Sequence, residues 1–230
     1  MNQAEHQAIH RMQLEKYFWL LAALVVLLVL VPVFDNDTWG APVLGIISML
    51  TLVLALRTIA HELRTLIIGL VLGVAGYGAS TYAYIMDTSP LLALPFQLAF
   101  YGFVNLSLLR EILTAHKINA DTICGGICVY LLLGLNFAII FSAIEFIQPG
   151  SLMVSNSFDQ DGVKTPMDFV YFSFVTLTTL GYGDIVPVSN AARSAAIATS
   201  VSGVLFIAVF IGRLVGLTTA QGMPYLDTEE

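Results

Sequence analysis

Charged residues are scarce in this sequence. Asp, Glu, Lys and Arg make up 11% of the 230 residues and hydrophobic residues 57%, whereas an average soluble domain has about 25% charged residues. This strongly apolar composition indicates a protein that lies in a lipid bilayer. With 9 Lys and Arg and a formal net charge of −7, the chain is not expected to bind nucleic acid.

Residue types that often carry chemistry are also few. The 2 cysteines, Cys124 and Cys128, lie four residues apart in an apolar stretch, so we expect them to pack on one helix face rather than form a disulfide or a metal site. His61 and Glu62 lack the second His of a metalloprotease motif and are expected in a solvated loop. No nucleophile and base pair accompanies the apolar runs, so an enzyme is not expected.

Apolar runs divide the chain. A bilayer core of about 30 Å needs roughly 20 apolar residues per helix. The run 167–180 is too short to cross and is enclosed by turn residues, so we interpret it as a re-entrant helix. The predicted fold is an all-α membrane protein with six transmembrane helices and this re-entrant helix between the fifth and the sixth. The six runs, of which the second is short, are 17–33, 43–56, 66–86, 91–109, 123–147 and 194–212.

Basic residues are distributed unevenly between the loops. The loops after the first and third runs contain Asp35, Asp37 and Asp87 but no Lys or Arg. Basic residues mark the cytoplasmic side, so both termini are predicted to be cytoplasmic, in a plasma membrane or bacterial inner membrane. No signal-peptide pattern precedes the first run, which we expect to be retained as a helix. The basic residues on the predicted cytoplasmic side are Arg11, Lys16, Arg57, Arg64, Arg110 and Lys117.

Residues 176–184 read Thr-Leu-Thr-Thr-Leu-Gly-Tyr-Gly-Asp. Non-helical backbone at membrane depth is tolerated only where protein buries it or a water-filled cavity lies beside it, so this segment indicates a pore. Gly181 and Gly183 reach positive φ without steric cost, which allows successive carbonyls to face one axis and replace the hydration shell of an ion. The predicted ion-binding residues are Thr179, Leu180, Gly181, Tyr182 and Gly183.

The surroundings of this loop favour a cation. The re-entrant helix ends where the loop begins, so the negative end of its dipole points toward the ion path. Asp184 follows at the outer mouth, where we expect it to brace the loop and weakly attract cations. The Tyr182 ring is expected to lie outside the ion path and to pack against the surrounding short helices.

This segment resembles the selectivity filter of the potassium-channel superfamily. The resemblance covers about residues 123–217 and is strongest over 166–187, where Thr-Thr precedes Gly-Tyr-Gly and Asp follows, between two spanning helices. It implies K⁺ as the permeant ion at residues 179–182 and no cofactor beyond that ion. It also implies that three further identical subunits complete a homotetrameric pore in the bilayer.

The sequence departs from the common pattern of that superfamily in three places. Leu180 stands where Val is usual, but its carbonyl does the coordinating, so selectivity is expected to survive. Tyr171 and Phe172 replace a frequent Trp pair, and the Tyr171 hydroxyl can donate to Asp184 instead. Val175 fills a position that is Glu in some relatives, so a brace between two carboxyl groups is absent. The residues predicted to support the filter are Asp184, Tyr171 and Thr178.

The run 91–109 carries no charge. A voltage sensor needs several charges, because each one that crosses the field is worth about 2.3 kcal/mol per 100 mV. Steep voltage gating is therefore not expected, and we interpret Arg110 as a topology anchor. The predicted parts of the chain are a cytoplasmic segment 1–16, a four-helix transmembrane domain 17–117, a pore domain 118–217 with outer helix, pore helix, filter and inner helix, and a cytoplasmic tail 218–230.

The sixth run carries two candidate gating features. Ser202 and Gly203 lie about where this superfamily has an inner-helix hinge, and Gly203 either permits bending or allows close packing. Helical spacing then creates an apolar stripe, which is either a hydrophobic constriction or a face packed on the fifth helix. The gating candidates are Gly203, Val204, Ile207, Ile211 and Val215.

Other residues keep two interpretations. Glu145, near the outer end of the fifth run, is either functional or simply interfacial. His116 and Lys117 either rest on anionic lipid headgroups and transmit motion to the pore or belong to a connecting turn. Three glycines, Gly69, Gly73 and Gly76, form a face of small residues. We interpret this face as a site of close helix packing rather than as a ligand site.

The predicted function is that of a potassium-selective channel subunit that conducts K⁺ passively. The nearest alternative is a less selective monovalent cation channel, against which the complete Gly-Tyr-Gly-Asp motif argues. A K⁺ transporter or sensor is the second alternative. Such proteins often carry one filter glycine in each of several internal repeats, whereas only one filter hairpin occurs here.

Overall fold

The computed structural model describes residues 16–34, 49–51, 53–58, 63–86, 90–115, 119–154 and 165–222. These parts are mostly helical, as predicted. A 3₁₀ turn, Pro90–Leu92, precedes the third long helix, and residues 49–51 and 53–58 are helical as well. Two short strands are β1, Leu152–Val154, and β2, Ile185–Pro187. The helices are α1 Lys16–Phe34, α2 Leu63–Ile85, α3 Ala93–Thr114, α4 Ala120–Ile147, α5 Pro166–Leu177 and α6 Asn190–Gly222.

The six predicted spanning runs fall on helices wherever the structure describes them, except Met86, which follows the last residue of α2. α6 extends beyond the run 194–212 at both ends, because its backbone hydrogen bonds continue through small and polar residues that hydropathy does not mark. Residues 43–48, His61, Glu62, His116 and Lys117 lie outside the described residues. In the described part of the chain, three helical segments are long and apolar enough to cross a membrane: Leu63–Ala83, Ala120–Ile147 and Asn190–Leu217.

α4 is the central helix of the fold, because it packs against four other helices, α1, α3, α5 and α6. Two of its glycines leave room for aromatic rings. A Cβ on Gly126 would overlap the Phe210 ring of α6, and a Cβ on Gly134 would lie 2.5 Å from Cζ of Phe174 in α5. Interiors this densely packed do not absorb an extra methyl group, so the two glycines determine how closely α5 and α6 approach α4.

A buried carboxylate fixes the start of α1 against α4. Asp121, in the first turn of α4, is 6% exposed and accepts a hydrogen bond from the backbone N–H of Tyr17 at 3.1 Å. Tyr17 is at the beginning of α1, so the carboxylate lies at the positive end of two helices at once. Cys128, about two helical turns further along α4, is fully buried and directs its thiol at the Tyr17 carbonyl at 3.6 Å, which confirms its packing role.

The glycine face of α2 also packs as predicted. Gly69, Gly73 and Gly76 are buried, and a Cβ on Gly76 would lie 3.3 Å from the backbone nitrogen of Gln97 in α3. The Gln97 amide donates to the Ser80 hydroxyl at 2.6 Å. Small residues therefore bring the backbones of α2 and α3 together, and one polar pair fixes their register.

A two-stranded sheet, absent from the all-α prediction, follows α4. β1 and β2 are antiparallel, with Leu152 opposite Pro187 and Val154 opposite Ile185. Glu145 supports the turn into β1, because its two carboxylate oxygens accept from the N–H groups of Gly150 at 2.7 Å and Leu152 at 2.8 Å. Glu145 therefore stabilises the turn that connects α4 to β1.

The short helix α5 ends three residues earlier than predicted. The predicted run was 167–180, whereas the helix is Pro166–Leu177. Thr178 is still in the αR region, but Thr179 has φ of 59°, and a left-handed residue ends a helix. The start was visible in the sequence, because Thr165 and Asp168 form a capping box with Pro166 at the first helical position, the usual signature of a helix N-terminus.

Candidate functional site

The segment after α5 has an unusual backbone. φ is 59° at Thr179, 57° at Gly181 and 79° at Gly183, and among the described non-glycine residues Thr179 alone has a positive value. The sign of φ therefore alternates from residue 179 to residue 183. In a strand successive carbonyls point to opposite sides, whereas alternation between right- and left-handed conformations lets consecutive peptide groups face the same side. Positive φ at a β-branched residue costs about 1–3 kcal/mol and is found at functional sites.

This backbone is folded against the last turn of α5. The carbonyl of Val175 accepts from the N–H groups of Leu180 at 3.0 Å and Gly181 at 3.3 Å, and the Thr176 carbonyl accepts from Thr179 at 3.0 Å. These are carbonyls that a helix leaves without an intrahelical partner. The strained segment is thus stabilised by the helix end that precedes it.

Three hydroxyl groups connect α5 to the neighbouring helices α4 and α6. Ser200 of α6 donates to the Thr176 carbonyl at 3.3 Å, and Tyr130 of α4 donates to the Leu177 carbonyl at 3.4 Å. Ser173 of α5 donates to the carbonyl of Gly134 at 2.6 Å. Sequence reasoning missed Tyr130, Ser173 and Ser200. Their only signal is an isolated hydroxyl in an apolar run, and their partners are backbone groups that carry no motif.

Asp184 is held from two sides. One carboxylate oxygen accepts from the Tyr171 hydroxyl at 2.5 Å, and the other accepts from the backbone N–H of Ile185 at 3.0 Å. The structure therefore contains the hydrogen bond predicted from the Tyr171 position. The bond to Asp184 raises the pKa of the Tyr171 phenol to about 12, from an ordinary value of about 10 at which a phenol is already protonated at neutral pH. Thr178 instead donates to the Phe174 carbonyl at 2.7 Å and closes the end of α5.

The residues predicted to bind ions lie on the surface of the single chain. Leu180 is 56% exposed and Tyr182 is 67% exposed, and Gly181 and Gly183 have no neighbouring atom within 4 Å of a virtual Cβ. The Tyr182 ring is therefore largely uncovered by its own chain. One chain folds this segment but does not enclose it.

The gating candidates divide into a packed residue and an exposed stripe. A Cβ on Gly203 would collide with the Leu177 carbonyl oxygen at the end of α5, so Gly203 permits close packing at the point where the strained segment begins. The stripe does not face α4, because its four members are between 43% and 58% exposed in the subunit. The exposed members are Val204, Ile207, Ile211 and Val215.

Aromatic rings occupy the α4 side of α6 instead. The Phe206 ring lies 5.7 Å from the Tyr130 ring and stacks on Phe210 at 5.5 Å. Further toward the end of α6, the Arg213 guanidinium donates to the carbonyl of Ala115 at 2.7 Å. Ala115 caps the C-terminus of α3, where a cation also interacts favourably with the helix dipole. Sequence reasoning missed Arg213 because its partner is again a backbone carbonyl.

Comparison with known proteins agrees with this site. A family described as ion channel matches residues 127–220. Protein LctB of Bacillus caldotenax is 30% identical over 126 residues, which cover 51% of this chain and 93% of that protein. The voltage-gated potassium channel Kch of Escherichia coli is 39% identical over 67 residues, 29% of this chain. Two pore potassium channel b of Oryza sativa subsp. japonica is 45% identical over 47 residues, 20% of this chain.

The alignments with the two potassium channels span only 16% and 14% of those proteins. No solved structure matched the chain. The family match covers the strained loop, the short helix before it and most of the two long helices on either side, α4 and α6. The chain belongs to the potassium-channel superfamily.

The bond between Tyr171 and Asp184 yields a first prediction. Tyr171→Phe leaves one carboxylate oxygen without its donor, and a hydrogen bond to a charged group contributes about 1.5–3 kcal/mol, so we expect a lower melting temperature of the purified protein. The exposed Tyr82→Phe loses the same hydroxyl and is expected to melt like the unmodified chain. In a double-mutant cycle with Asp184→Asn the effects should be non-additive by about 0.5–3 kcal/mol; strictly additive effects would contradict the coupling.

Gly203 yields a second prediction, which separates packing from hinge bending. Gly203→Ala forces a methyl group against the Leu177 carbonyl and is expected to destabilise the protein by about 1–3 kcal/mol. Gly216→Ala, on the same helix with nothing within 4 Å, is expected to be neutral or to stabilise by up to about 1 kcal/mol. Thermal unfolding of both variants tests this. Unchanged stability of Gly203→Ala together with altered ion flux would favour the hinge instead.

Proposed function

We propose that this protein is a potassium-selective channel that conducts K⁺ passively through a pore formed by four identical subunits. The observation that carries the proposal is the alternating sign of φ at Thr179, Gly181 and Gly183, in a segment that reads Thr-Thr-Leu-Gly-Tyr-Gly-Asp. Such a backbone can present a row of carbonyl oxygens that replaces the hydration shell of the ion without adding net charge. The coordinating residues would be 179–183, with no other cofactor.

The position of α5 supports a path for cations. A helix of 12 residues is about 18 Å long, which is too short to cross a bilayer. We infer that it re-enters the membrane and directs its carboxyl end toward the ion path, where the negative end of its dipole favours a cation. Val175, Thr176 and Leu177 supply the carbonyls of that end.

The exposure of the subunit supports an assembly. Leu180 and Tyr182 are large apolar or aromatic side chains that one chain leaves uncovered, and only 11% of the Asn190–Leu217 segment is buried within it. Four copies around one axis would enclose residues 179–183 and cover one face of each α6. In this arrangement the chain has six spans with both termini in the cytoplasm, with domains 17–117 and 118–217.

Selectivity is tested in liposomes that contain the purified protein. Under opposed K⁺ and Na⁺ gradients we expect a reversal potential near the K⁺ equilibrium potential. We also expect the native mass of the purified protein to be about four times the 24.9 kDa mass of one chain. Gly181→Ala places a side chain on a left-handed residue of the filter and should abolish K⁺ selectivity. Gly150→Ala is the matched control, because Gly150 has φ of 83° in an exposed turn outside the filter. It should lose a similar amount of stability but keep the selectivity.

Other outcomes of this experiment would favour other functions. Equal permeation of Na⁺ and K⁺ would support a less selective cation channel, and saturable flux that depends on a second ion gradient would support a transporter. The same liposome measurements also show how the K⁺ conductance depends on voltage. We expect conductance to vary little with voltage, since the only charged residues in α3 are Arg110 and Glu111 near its C-terminus; an e-fold rise within a few millivolts would contradict this.

We further propose that the exposed stripe of α6 forms a hydrophobic constriction that closes the pore by dewetting. Ile211→Asn should hydrate the constriction and raise K⁺ flux several-fold. Ile197→Asn serves as a control, because Ile197 lies on the same face about four turns nearer the start of α6 and outside the stripe. Unchanged flux in Ile211→Asn, measured at equal protein content, would place the gate elsewhere.

A further inference from the structure

The Ser200 hydroxyl of α6 departs from the usual pattern of a hydroxyl in a helix. A Ser or Thr in a helix commonly donates to the carbonyl four residues earlier, as Thr199 of the same helix does with Ala195. Ser200 instead donates to the Thr176 carbonyl, 24 residues earlier, at 3.3 Å. Because a hydroxyl has a single proton, Ser200 connects α6 to α5 in place of a bond within its own helix.

The same carbonyl oxygen shapes the segment that follows α5. The Thr176 carbonyl also accepts from the N–H of Thr179 at 3.0 Å, so this N–H and the Ser200 hydroxyl share one acceptor. Thr179 has φ of 59°, and a strained conformation of this kind persists only where the surroundings fix it from several sides. Ser200 fixes the oxygen to which the strained residue is bonded.

A second contact fixes the register of α6 on α5. Gly203 lies three residues after Ser200 and hence on the same face of the helix, and a Cβ there would collide with the Leu177 carbonyl oxygen. Two small residues one turn apart thus meet two successive carbonyls of α5, those of Thr176 and Leu177. The packing of α6 therefore holds the Ser200 hydroxyl at its acceptor.

We propose that Ser200 is a positioning residue that determines how well the channel discriminates K⁺ from Na⁺. This inference rests on the proposed function and assigns a residue outside the filter to its selectivity. Ser200 holds the Thr176 carbonyl, and that carbonyl holds the N–H of Thr179. The bonded N–H keeps the Thr179 carbonyl in the row that replaces the hydration shell of the ion.

Loss of the Ser200 hydroxyl has a specific consequence for this row. The Thr176 peptide group is then free to rotate, and Thr179 can relax toward the negative φ that is usual for a β-branched residue. The row offers one fixed oxygen fewer. Because selectivity depends on the size of the coordinating cage and on the number of its oxygens, discrimination between the two ions falls.

Ser200→Ala in liposomes tests the inference, with the permeability ratio of Na⁺ to K⁺ taken from the reversal potential. We expect this ratio to rise about threefold, the factor that corresponds to a neutral hydrogen bond at the weak end of the usual range. Ser200→Thr keeps the hydroxyl and should keep the ratio of the unmodified chain. A permeability ratio does not depend on how much protein is folded, so a loss of stability alone would leave it unchanged.

Thr199→Val is the matched control. Thr199 is fully buried next to Ser200, and its hydroxyl donates to the Ala195 carbonyl of its own helix at 2.7 Å. Valine keeps the shape of the side chain and removes the hydroxyl. This variant should therefore leave the permeability ratio unchanged, whatever its melting temperature.

A second measurement needs no ion flux. K⁺ that binds the folded protein raises its melting temperature with increasing K⁺ concentration. The concentration at which this rise begins should be about threefold higher in Ser200→Ala than in the unmodified chain. It should be unchanged in Thr199→Val. Only the dependence on K⁺ is compared, so a difference in melting temperature without K⁺ does not affect the result.

The outcomes separate this inference from the proposed function. If the unmodified chain passes Na⁺ and K⁺ alike, the proposed function fails and the inference fails with it. If the unmodified chain is selective but Ser200→Ala has the same permeability ratio and the same K⁺ dependence of melting, the inference alone is wrong. An equal rise of the ratio in Thr199→Val or in Ser200→Thr would also overturn it, because the effect would then not depend on the bond to Thr176.

Discussion

The carboxyl end of α5 is the point on which the rest of the structure depends. A helix leaves its last carbonyl groups without intrahelical partners, and in an apolar setting each of them must find a donor. The Val175 carbonyl receives the N–H groups of the filter segment, while those of Thr176 and Leu177 receive hydroxyls from α6 and α4. The same carbonyls therefore end the helix, shape the segment 179–183 and fix the position of two long helices.

The glycines near the carboxyl end of α5 have two different structural roles. In the filter segment, Gly181 and Gly183 allow a left-handed backbone. In the long helices, Gly126, Gly134 and Gly203 have ordinary helical conformations and instead leave space for a ring or a carbonyl. Substitution in the first group therefore strains the backbone, whereas substitution in the second group pushes helices apart.

The long helices and the position of the segment 179–183 could be predicted from the sequence because their signals are local. Apolar runs located the long helices, and one nine-residue motif located the segment with alternating φ. The network that holds this segment could not be predicted. Tyr130, Ser200 and Arg213 bond to backbone carbonyls of other helices, and a carbonyl is the same at every residue. The sheet of β1 and β2 was missed because three-residue strands have too short a pattern.

The end of α5 was misplaced for a related reason. Leu180 is as apolar as the helix before it, so hydropathy continued the run, whereas the backbone turns at Thr179. The choice between hinge and packing at Gly203 likewise depended on a contact with Leu177 that lies 26 residues away in the chain. Spacing along one helix does not reveal such a neighbour.

The hydrogen bonds of the segment 179–184 have a consequence for the order in which the chain folds. The contacts of Leu180 and Gly181 with Val175 span five or six residues, and the bond from Tyr171 to Asp184 spans 13. Closing such short loops costs little chain entropy and happens early. The pairing of β1 with β2 joins residues more than 30 positions apart and closes a much longer loop. The helix and filter can thus order as one local unit, which the sheet then fixes against the end of α4.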